Sequence, residues 1–212
     1  MFPFQIHFIC YWGLVLLYDT KYNVDAIRDS LKNQFFLTLP LSCLFFWTYP
    51  VEYERILLSV AMLPLVVVLS DMYFYCVHRV FHSVFWAYHR RHHSGTVQIA
   101  KSLDADMIEH LVANLGSFVV PFLLLPTFNT YVLHLWVAIS TINTCISHAE
   151  KRMWGDKGVH HNHHARRNCN YGTGFYILDR LFGSYYGVAP EVSCPKNGRV
   201  ASEGRRGAEG DS

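Results

Sequence analysis

The sequence has little charge, since only 16% of its 212 residues are Asp, Glu, Lys or Arg and the formal net charge is +2. Such a small and dispersed charge argues against nucleic acid as a partner. The six cysteines form no C-x-x-C pair, and heptads, internal repeats and a phosphate-binding glycine loop are also missing. A disulfide framework is therefore a poor explanation of this chain.

Apolar residues make up 51% of the chain and are collected into blocks. The length suits one domain. We predict an all-α integral membrane bundle of about four to five transmembrane segments, with a cytosolic histidine-rich helical cap that holds a dimetal site. The apolar runs are Phe4–Tyr18, Gln34–Tyr49, Ile56–Val77, Leu111–Leu125 and Tyr131–Ser147.

The first apolar run has fifteen residues, fewer than the roughly 20 that cross a bilayer upright, so it is a short span or an interfacial segment. No basic residue precedes it, because the first lysine is Lys21, and an uncleaved span fits better than a cleaved signal peptide. The next four runs are typical of two helical hairpins, and we expect Pro40 and Pro64 to bend the first of them.

Basic residues cluster around the histidine-rich stretches, where we expect a basic rim on the membrane surface. By the positive-inside rule this side is cytosolic. Two crossings between the second and third histidine clusters return the chain to the same side, so all clusters can share one site. The residues of the predicted rim are Arg79, Arg90, Arg91, Lys151, Arg152, Arg166 and Arg167.

Nine of the 13 histidines fall at spacings that suit metal ligation. Three- and four-residue spacings place imidazoles on one face of a helix, if the segments are helical. One zinc ion needs three or four ligands, so nine histidines indicate two metals that share the imidazoles. Imidazole suits zinc, copper and iron alike, so the residue types do not name the metal. The predicted ligands, which are also the predicted catalytic residues, are His78, His82, His89, His92, His93, His148, His160, His163 and His164.

Other polar residues have more open roles. Asp71 lies two helical turns before His78, and we expect it to accept the free N–H of a ligand histidine, with a salt bridge to Arg79 or Arg180 as the alternative. His161 is one residue off the helical face of its cluster, so we expect it to point elsewhere. His7 is expected at the membrane interface.

The motifs around these histidines resemble those of one known family. Residues 70–93 contain D-x-x-F-Y-x-x-H-R-x-x-H and then H-x-x-H-H. The C-terminal box His160–His164 is followed by Asn170–Gly172 and by Asp179–Gly183. From about Leu69 to Tyr186 the chain is similar to the sterol desaturase and fatty acid hydroxylase superfamily of membrane oxygenases.

The resemblance implies an enzyme with a diiron centre that uses dioxygen to oxidise a lipid C–H bond, in lipid biosynthesis and, in a eukaryote, in the endoplasmic reticulum. It also implies a separate electron donor, cytochrome b5 or a similar carrier. A tenth ligand, His110 or His134, stays open. We divide the chain into an N-terminal membrane part at 1–68, a catalytic domain at 69–190 where the resemblance lies, and a tail at 191–212. We expect the tail to be disordered because it has few aliphatic residues and several glycines.

Two other classes of function compete with the enzyme. A catalytically inactive membrane scaffold or metal store could keep the fold, and a transporter could use a histidine path. The acyl-coenzyme A desaturases share the H-x-x-H-H boxes, but their first box has a longer spacing. Hydroxylation and desaturation both stay open. So do sterol, fatty acyl and sphingoid substrates, because we expect the pocket to be lined by apolar residues of the spans.

Overall fold

The structure is a computed structural model that describes residues 3–125, 127–149 and 158–187. The predicted tail at 191–212 and the predicted rim residues Lys151 and Arg152 lie outside the described residues. Within them the chain is mostly helical, as predicted, and its strands are one pair of two residues each.

The helices follow one another with short connections. The N-terminal half contains α1 (Pro3–Tyr18), α2 (Val24–Asn33), a π-helical segment π1 (Gln34–Thr38), α3 (Leu39–Thr48), β1 (Val51–Glu52), α4 (Ile56–Ser83) and α5 (Trp86–His89). The C-terminal half contains a 3-10 helix (Ile99–Leu103), α6 (Met107–Glu109), π2 (His110–Leu115), α7 (Gly116–Leu123), β2 (Phe128–Asn129), α8 (Thr130–Ser147), α9 (Val159–Arg166) and α10 (Ile177–Leu181).

Helix α4 is the longest element, with 28 residues and Pro64 inside it. Among the described helices, it alone has the length and hydropathy of a membrane span, while Pro3–Tyr18 and Met107–Leu123 are apolar but shorter. Large apolar side chains such as Trp47 and Leu57 are more than 80% exposed, as expected of a surface that faces lipid. The predicted four to five spans stay a prediction.

Two π-helical segments interrupt the regular helices. π1 joins α2 to α3 just before Pro40, and π2 lies between α6 and α7, so that 107–123 is one continuous helical run. π-Helical turns are rare overall and are frequent at functional sites. Their side chains meet, because Thr38 Oγ1 at the end of π1 lies 2.9 Å from His110 Nε2 at the start of π2.

The helices pack in pairs around two apolar clusters. Helix α1 packs on α8, and α4 packs on both α7 and α8. One cluster includes Tyr11, Ile99 and Cys145, and the Tyr11 hydroxyl donates to the Ala100 carbonyl at 2.9 Å. The other, around Phe122 and the β1–β2 pair, closes the opposite end of the bundle.

An ionic network holds α2 against the turn that carries His92 and His93. Arg91 pairs with Asp29, and its Nε lies 2.9 Å from Asp104 Oδ1. Lys101, which is buried, lies 3.3 Å from the other oxygen of Asp104. The Arg91 side chain is still 46% exposed, so this residue of the predicted basic rim lies at the surface while it pairs with the two carboxylates.

Candidate metal centre

Five of the predicted ligands come together as the first imidazole group. The Nε2 atom of His89 lies 3.0 Å from that of His78, 3.0 Å from that of His82 and 2.9 Å from that of His93. His163 completes the set, with its Nε2 3.1 Å from His82 Nε2 and 3.2 Å from His93 Nε2. Within the first imidazole group the nitrogens all lie within 4.8 Å of one another.

The remaining four form the second imidazole group. Here His148 Nε2 lies 3.2 Å from His92 Nε2, 3.1 Å from His160 Nε2 and 3.3 Å from His164 Nε2. All four side chains are buried. The structure thus brings all nine histidines into two compact groups, each large enough for one metal ion.

The secondary-structure elements divide the histidines between the two imidazole groups, and sequence spacing does not predict this division. Helix α4 carries His78 and His82 on one face, as predicted. The second cluster is not a helix beyond His89, because α5 ends there and 90–93 form turns, with His92 N–H donating to the His89 carbonyl at 3.0 Å. This turn sends the neighbours His92 and His93 to different groups.

Helix α9 also serves both groups. Its eight residues carry His160 and His164 in the second imidazole group and His163 in the first. The helix begins after Gly158 and ends at Arg167, both in the left-handed region with φ of 83° and 65°. These two sharp bends separate α9 from its flanking chain, so that a short helix can sit between the two groups.

Hydrogen bonds at the other ring nitrogen set the tautomers. The Nδ1 atoms of His78 and His163 lie 2.7 Å from the carbonyls of Tyr171 and Cys169. Those of His148 and His89 lie 3.0 Å from the Thr144 carbonyl and 2.7 Å from Glu109 Oε1. A carbonyl accepts but cannot donate, so Nδ1 carries the proton and Nε2 presents its lone pair.

The inward Nε2 atoms are therefore suited to binding a metal ion and not to forming hydrogen bonds with one another. Two lone pairs about 3 Å apart repel, and these Nε2···Nε2 contacts cannot be hydrogen bonds once both Nδ1 atoms hold the protons. With a metal–nitrogen bond of about 2.1 Å, adjacent ligands lie about 3.0 Å apart at a right angle and about 3.4 Å apart in a tetrahedron. The observed distances of 2.9 to 3.3 Å match that range.

Burial keeps these imidazoles neutral. It lowers the pKa of His93 and of His148 to about 3, with smaller contributions from neighbouring imidazoles and cations. Burial likewise lowers the pKa of His92, His160 and His164 well below the ordinary value. Neutral imidazole is the form that binds metals, so the groups are ready for a cation at neutral pH.

Glu109 is a site residue that the sequence analysis missed, because only its neighbour His110 was predicted as a candidate ligand. Its carboxylate accepts the Nδ1 proton of His89, and the side chain is buried. Such a carboxylate orients a ligand imidazole and raises its basicity. A carboxylate near the start of the apolar run 107–123 is costly unless it is paired. This cost is the feature of the sequence that could have indicated a role for Glu109.

Asp71 does not accept a histidine N–H, nor do the described residues give it a salt bridge. It accepts the backbone N–H groups of Thr173 and Ile177, each at 2.9 Å. Asp179 accepts those of Tyr171 and Gly172 at 2.8 and 2.7 Å. The two carboxylates therefore fix the loop whose Tyr171 carbonyl holds the proton of His78.

The other histidines lie outside both groups. His161 Nε2 lies 2.7 Å from the Ala149 carbonyl, and His134 stacks on Phe46. His110 contacts Thr38 and the Asn114 amide, whose Nδ2 lies 3.2 Å from its Nδ1. Neither candidate for a tenth ligand reaches the two imidazole groups.

A cavity of about 140 Å³ runs from the histidines into the bundle. His78, His89, His92, His148 and His160 line one end. Phe118 and Trp136 line it further along. The cavity wall is mostly apolar, as we expected, but it also includes the polar side chains of Thr38, Ser70, Asn114, Ser140, Thr141 and Thr144. This cavity therefore brings polar groups close to a candidate metal centre.

Comparison with known proteins decides the family. The sequence profile of the fatty acid hydroxylase family matches residues 63–184, which is more than half of the chain. The chain belongs to this family. The resemblance noted in the sequence is therefore confirmed. No solved structure matches the chain significantly.

The fatty acid hydroxylase match agrees with individual relatives. A protein of Dictyostelium discoideum with the name of a methylsterol monooxygenase is 27% identical over 129 residues, which cover 55% of this chain and 47% of that protein. A fatty acid hydroxylase of a Lecanicillium species is 29% identical over 154 residues, covering 58% and 41%. The chain spans about half the length of the curated relatives it matches.

Proposed function

We propose that this fatty acid hydroxylase family member is a membrane-bound lipid oxygenase that holds two iron ions. The observation that carries the proposal is the pair of imidazole groups, whose inward lone pairs open onto a cavity inside the helices. The proposed ligands are His78, His82, His89, His93 and His163 for one ion and His92, His148, His160 and His164 for the other.

Bound iron would supply the activation of dioxygen for oxidation of a lipid C–H bond. The protein contributes neutral ligands and keeps water from the buried nitrogens. It holds a proton at the Nδ1 atoms of four of them, His78, His89, His148 and His163. The names of the two relatives, methylsterol monooxygenase and fatty acid hydroxylase, support a sterol or a fatty acyl chain as the substrate. Both hydroxylation and desaturation are compatible with this site.

Residues 1–68 contribute to the same site as residues 69–190, which we propose as the catalytic domain. His7, Tyr11 and Thr38 line the cavity, although they precede the residues that the family profile matches. We therefore expect a chain truncated before residue 69 to lose its lipid pocket along with its first helices.

We propose that the electrons for the reaction come from another protein. Insertion of one oxygen atom with reduction of the other to water consumes two external electrons, and the sequence has no flavin or nicotinamide fingerprint. We propose a cytochrome b5-like donor that docks on the cytosolic face, where Arg79, Arg90, Arg166 and Arg167 are exposed beside the histidines. For a eukaryotic cell we propose the endoplasmic reticulum membrane as the location of the protein.

The test is turnover with defined components. The full chain, loaded with ferrous iron in lipid nanodiscs, is given dioxygen and either a 4-methylsterol or a long-chain fatty acyl lipid, with and without a reduced donor protein. We expect more than one oxidised lipid per chain by mass spectrometry only when the donor is present, because two ferrous ions can themselves supply the electrons of a single turnover. Absence of product in every arm, with both metals bound, would favour the inactive scaffold.

A further inference from the structure

A chain of hydrogen bonds from α1 to α8 ends at a hydroxyl that faces the cavity. Trp12 Nε1 lies 2.8 Å from Gln34 Oε1, and Gln34 Nε2 lies 3.2 Å from His7 Nε2. His7 Nδ1 then lies 3.0 Å from Thr141 Oγ1. Both His7 and Thr141 line the cavity.

The direction of each bond follows from its first member. An indole N–H can only donate, so Gln34 must present its oxygen to Trp12 and its NH2 group to His7. His7 Nε2 is then the lone-pair nitrogen, which leaves the ring proton on Nδ1. That proton is donated to the oxygen of Thr141.

Thr141 is therefore left with an O–H that has no acceptor among the described residues. Its side chain is only 6% exposed, and its oxygen already accepts from His7. The neighbouring hydroxyls differ, because Ser140 donates to the Val137 carbonyl at 3.1 Å and Thr144 to the Ser140 carbonyl at 3.0 Å. A buried donor without an acceptor costs free energy, unless a ligand supplies one.

The place of this hydroxyl relates it to the metal centre. Thr141 comes seven residues before His148, so it lies two turns away on the same side of α8, at about 10 Å along the helix axis. A group bound to Thr141 would thus lie in the same cavity as the second imidazole group. His110 and Asn114 of π2 also line this cavity and add further polar atoms.

We infer that Thr141 donates a hydrogen bond to an oxygen atom of the lipid substrate. The substrate class is then a lipid that carries a hydroxyl or carbonyl oxygen on the part inside the cavity, and not a plain hydrocarbon. A sterol hydroxyl and the oxygenated end of an acyl chain share this chemistry. The inference rests on the proposed function only in treating the cavity as the substrate site.

Binding of matched lipid pairs tests the inference without turnover. The full chain, loaded with redox-inert zinc in nanodiscs, is titrated with cholestanol and cholestane, and with hexadecanol and hexadecane. We expect wild-type protein to bind the alcohol of at least one pair about 3- to 10-fold more tightly than its hydrocarbon, as one net hydrogen bond provides. The pair that shows the preference distinguishes a sterol from an acyl substrate.

Variants with side chains of similar shape test whether Thr141 is the residue that binds the lipid oxygen. Thr141→Val should remove the preference for the alcohol, whereas Thr141→Ser should keep it. Thr144→Val is the control, because its hydroxyl lines the same cavity but already donates to a carbonyl. Equal affinity for alcohol and hydrocarbon in wild type, or an unchanged preference in Thr141→Val, would overturn the inference.

This binding experiment separates two kinds of failure. If the alcohol preference depends on Thr141 but iron-loaded protein makes no product with its donor, the binding site stands and the proposed oxygenase activity does not. If product forms while the Thr141 variants bind both members of each pair like wild type, the oxygenase activity stands and the inference fails.

Discussion

His89 Nδ1 lies 2.7 Å from Glu109 Oε1, and both side chains are buried. The contact joins the end of α5 to the end of α6, across twenty residues of chain. His89 is also the imidazole whose Nε2 contacts three others of the first imidazole group. The carboxylate therefore orients the ring at the centre of that group.

The first prediction concerns this carboxylate. Glu109→Gln keeps the shape of the side chain but removes its charge, so His89 becomes a weaker ligand. We expect about 10- to 100-fold weaker metal binding, measured by competition with a chelator of known affinity. Glu54→Gln changes an exposed carboxylate at the other end of the bundle and should bind metal like wild type. Equal affinities for all three proteins would show that Glu109 does not tune the site.

The second prediction compares two histidines of α9. His163→Ala removes a nitrogen of the first imidazole group, so metal content should fall below two ions per chain and lipid oxidation should be lost. His161→Ala removes a hydrogen bond to the Ala149 carbonyl, worth about 1 kcal/mol, and should retain two ions and most activity. If His161→Ala is the inactive variant, the assignment of ligands on α9 is wrong.

The third prediction concerns metal content and identity. Elemental analysis should find two metal ions per chain, because each imidazole group fits one. Removal by a chelator should abolish lipid oxidation, and ferrous iron should restore it. Zinc should fill the same sites, since imidazole binds both metals, but zinc has no redox chemistry and should give no activity. One ion per chain after full reconstitution would contradict the two-site arrangement.

The fourth prediction concerns Gly172, which lies between two carboxylates. A Cβ added there would lie 3.0 Å from both Asp179 Oδ2 and Asp71 Oδ1. Gly172→Ala should therefore displace the loop that holds His78 and lower the free energy of unfolding by about 1–3 kcal/mol. Thermal unfolding in detergent and metal content report the two effects.

Gly13→Ala is the matched control for that loop. Its added Cβ would have no atom within 4 Å, and it lies inside α1, where alanine favours the helix. We expect unchanged metal content and an unchanged or slightly higher unfolding temperature. Indistinguishable unfolding of the two variants would mean that the loop around Gly172 tolerates expansion.

The sequence predicted which nine histidines come together, that His78 and His82 share one face of a helix, and the family, because these depend on local spacing and motifs. It did not predict how the nine divide between two groups. That division depends on where three distant segments meet. Spacing alone does not distinguish the turn after His89 from a helix, because both structures bring residues three positions apart close to each other.

Two other outcomes depended on tertiary contacts. Asp71 has the helical position expected of a partner for His78, yet the loop at Thr173 and Ile177 competes for the same oxygens and offers backbone N–H groups. The hydroxyl groups in the cavity wall were not predicted, because in the sequence they occur singly among apolar residues. Only packing shows that Thr141 and His7, 134 residues apart, face each other.

The position of α9 has a consequence for how metal ions enter. One short helix holds His163 in one group and His160 and His164 in the other, and the turn at His92 and His93 is divided in the same way. Whichever ion arrives first therefore orders ligands that the other ion needs. We expect cooperative loading, with protein that carries a single ion scarce at every stage of a titration.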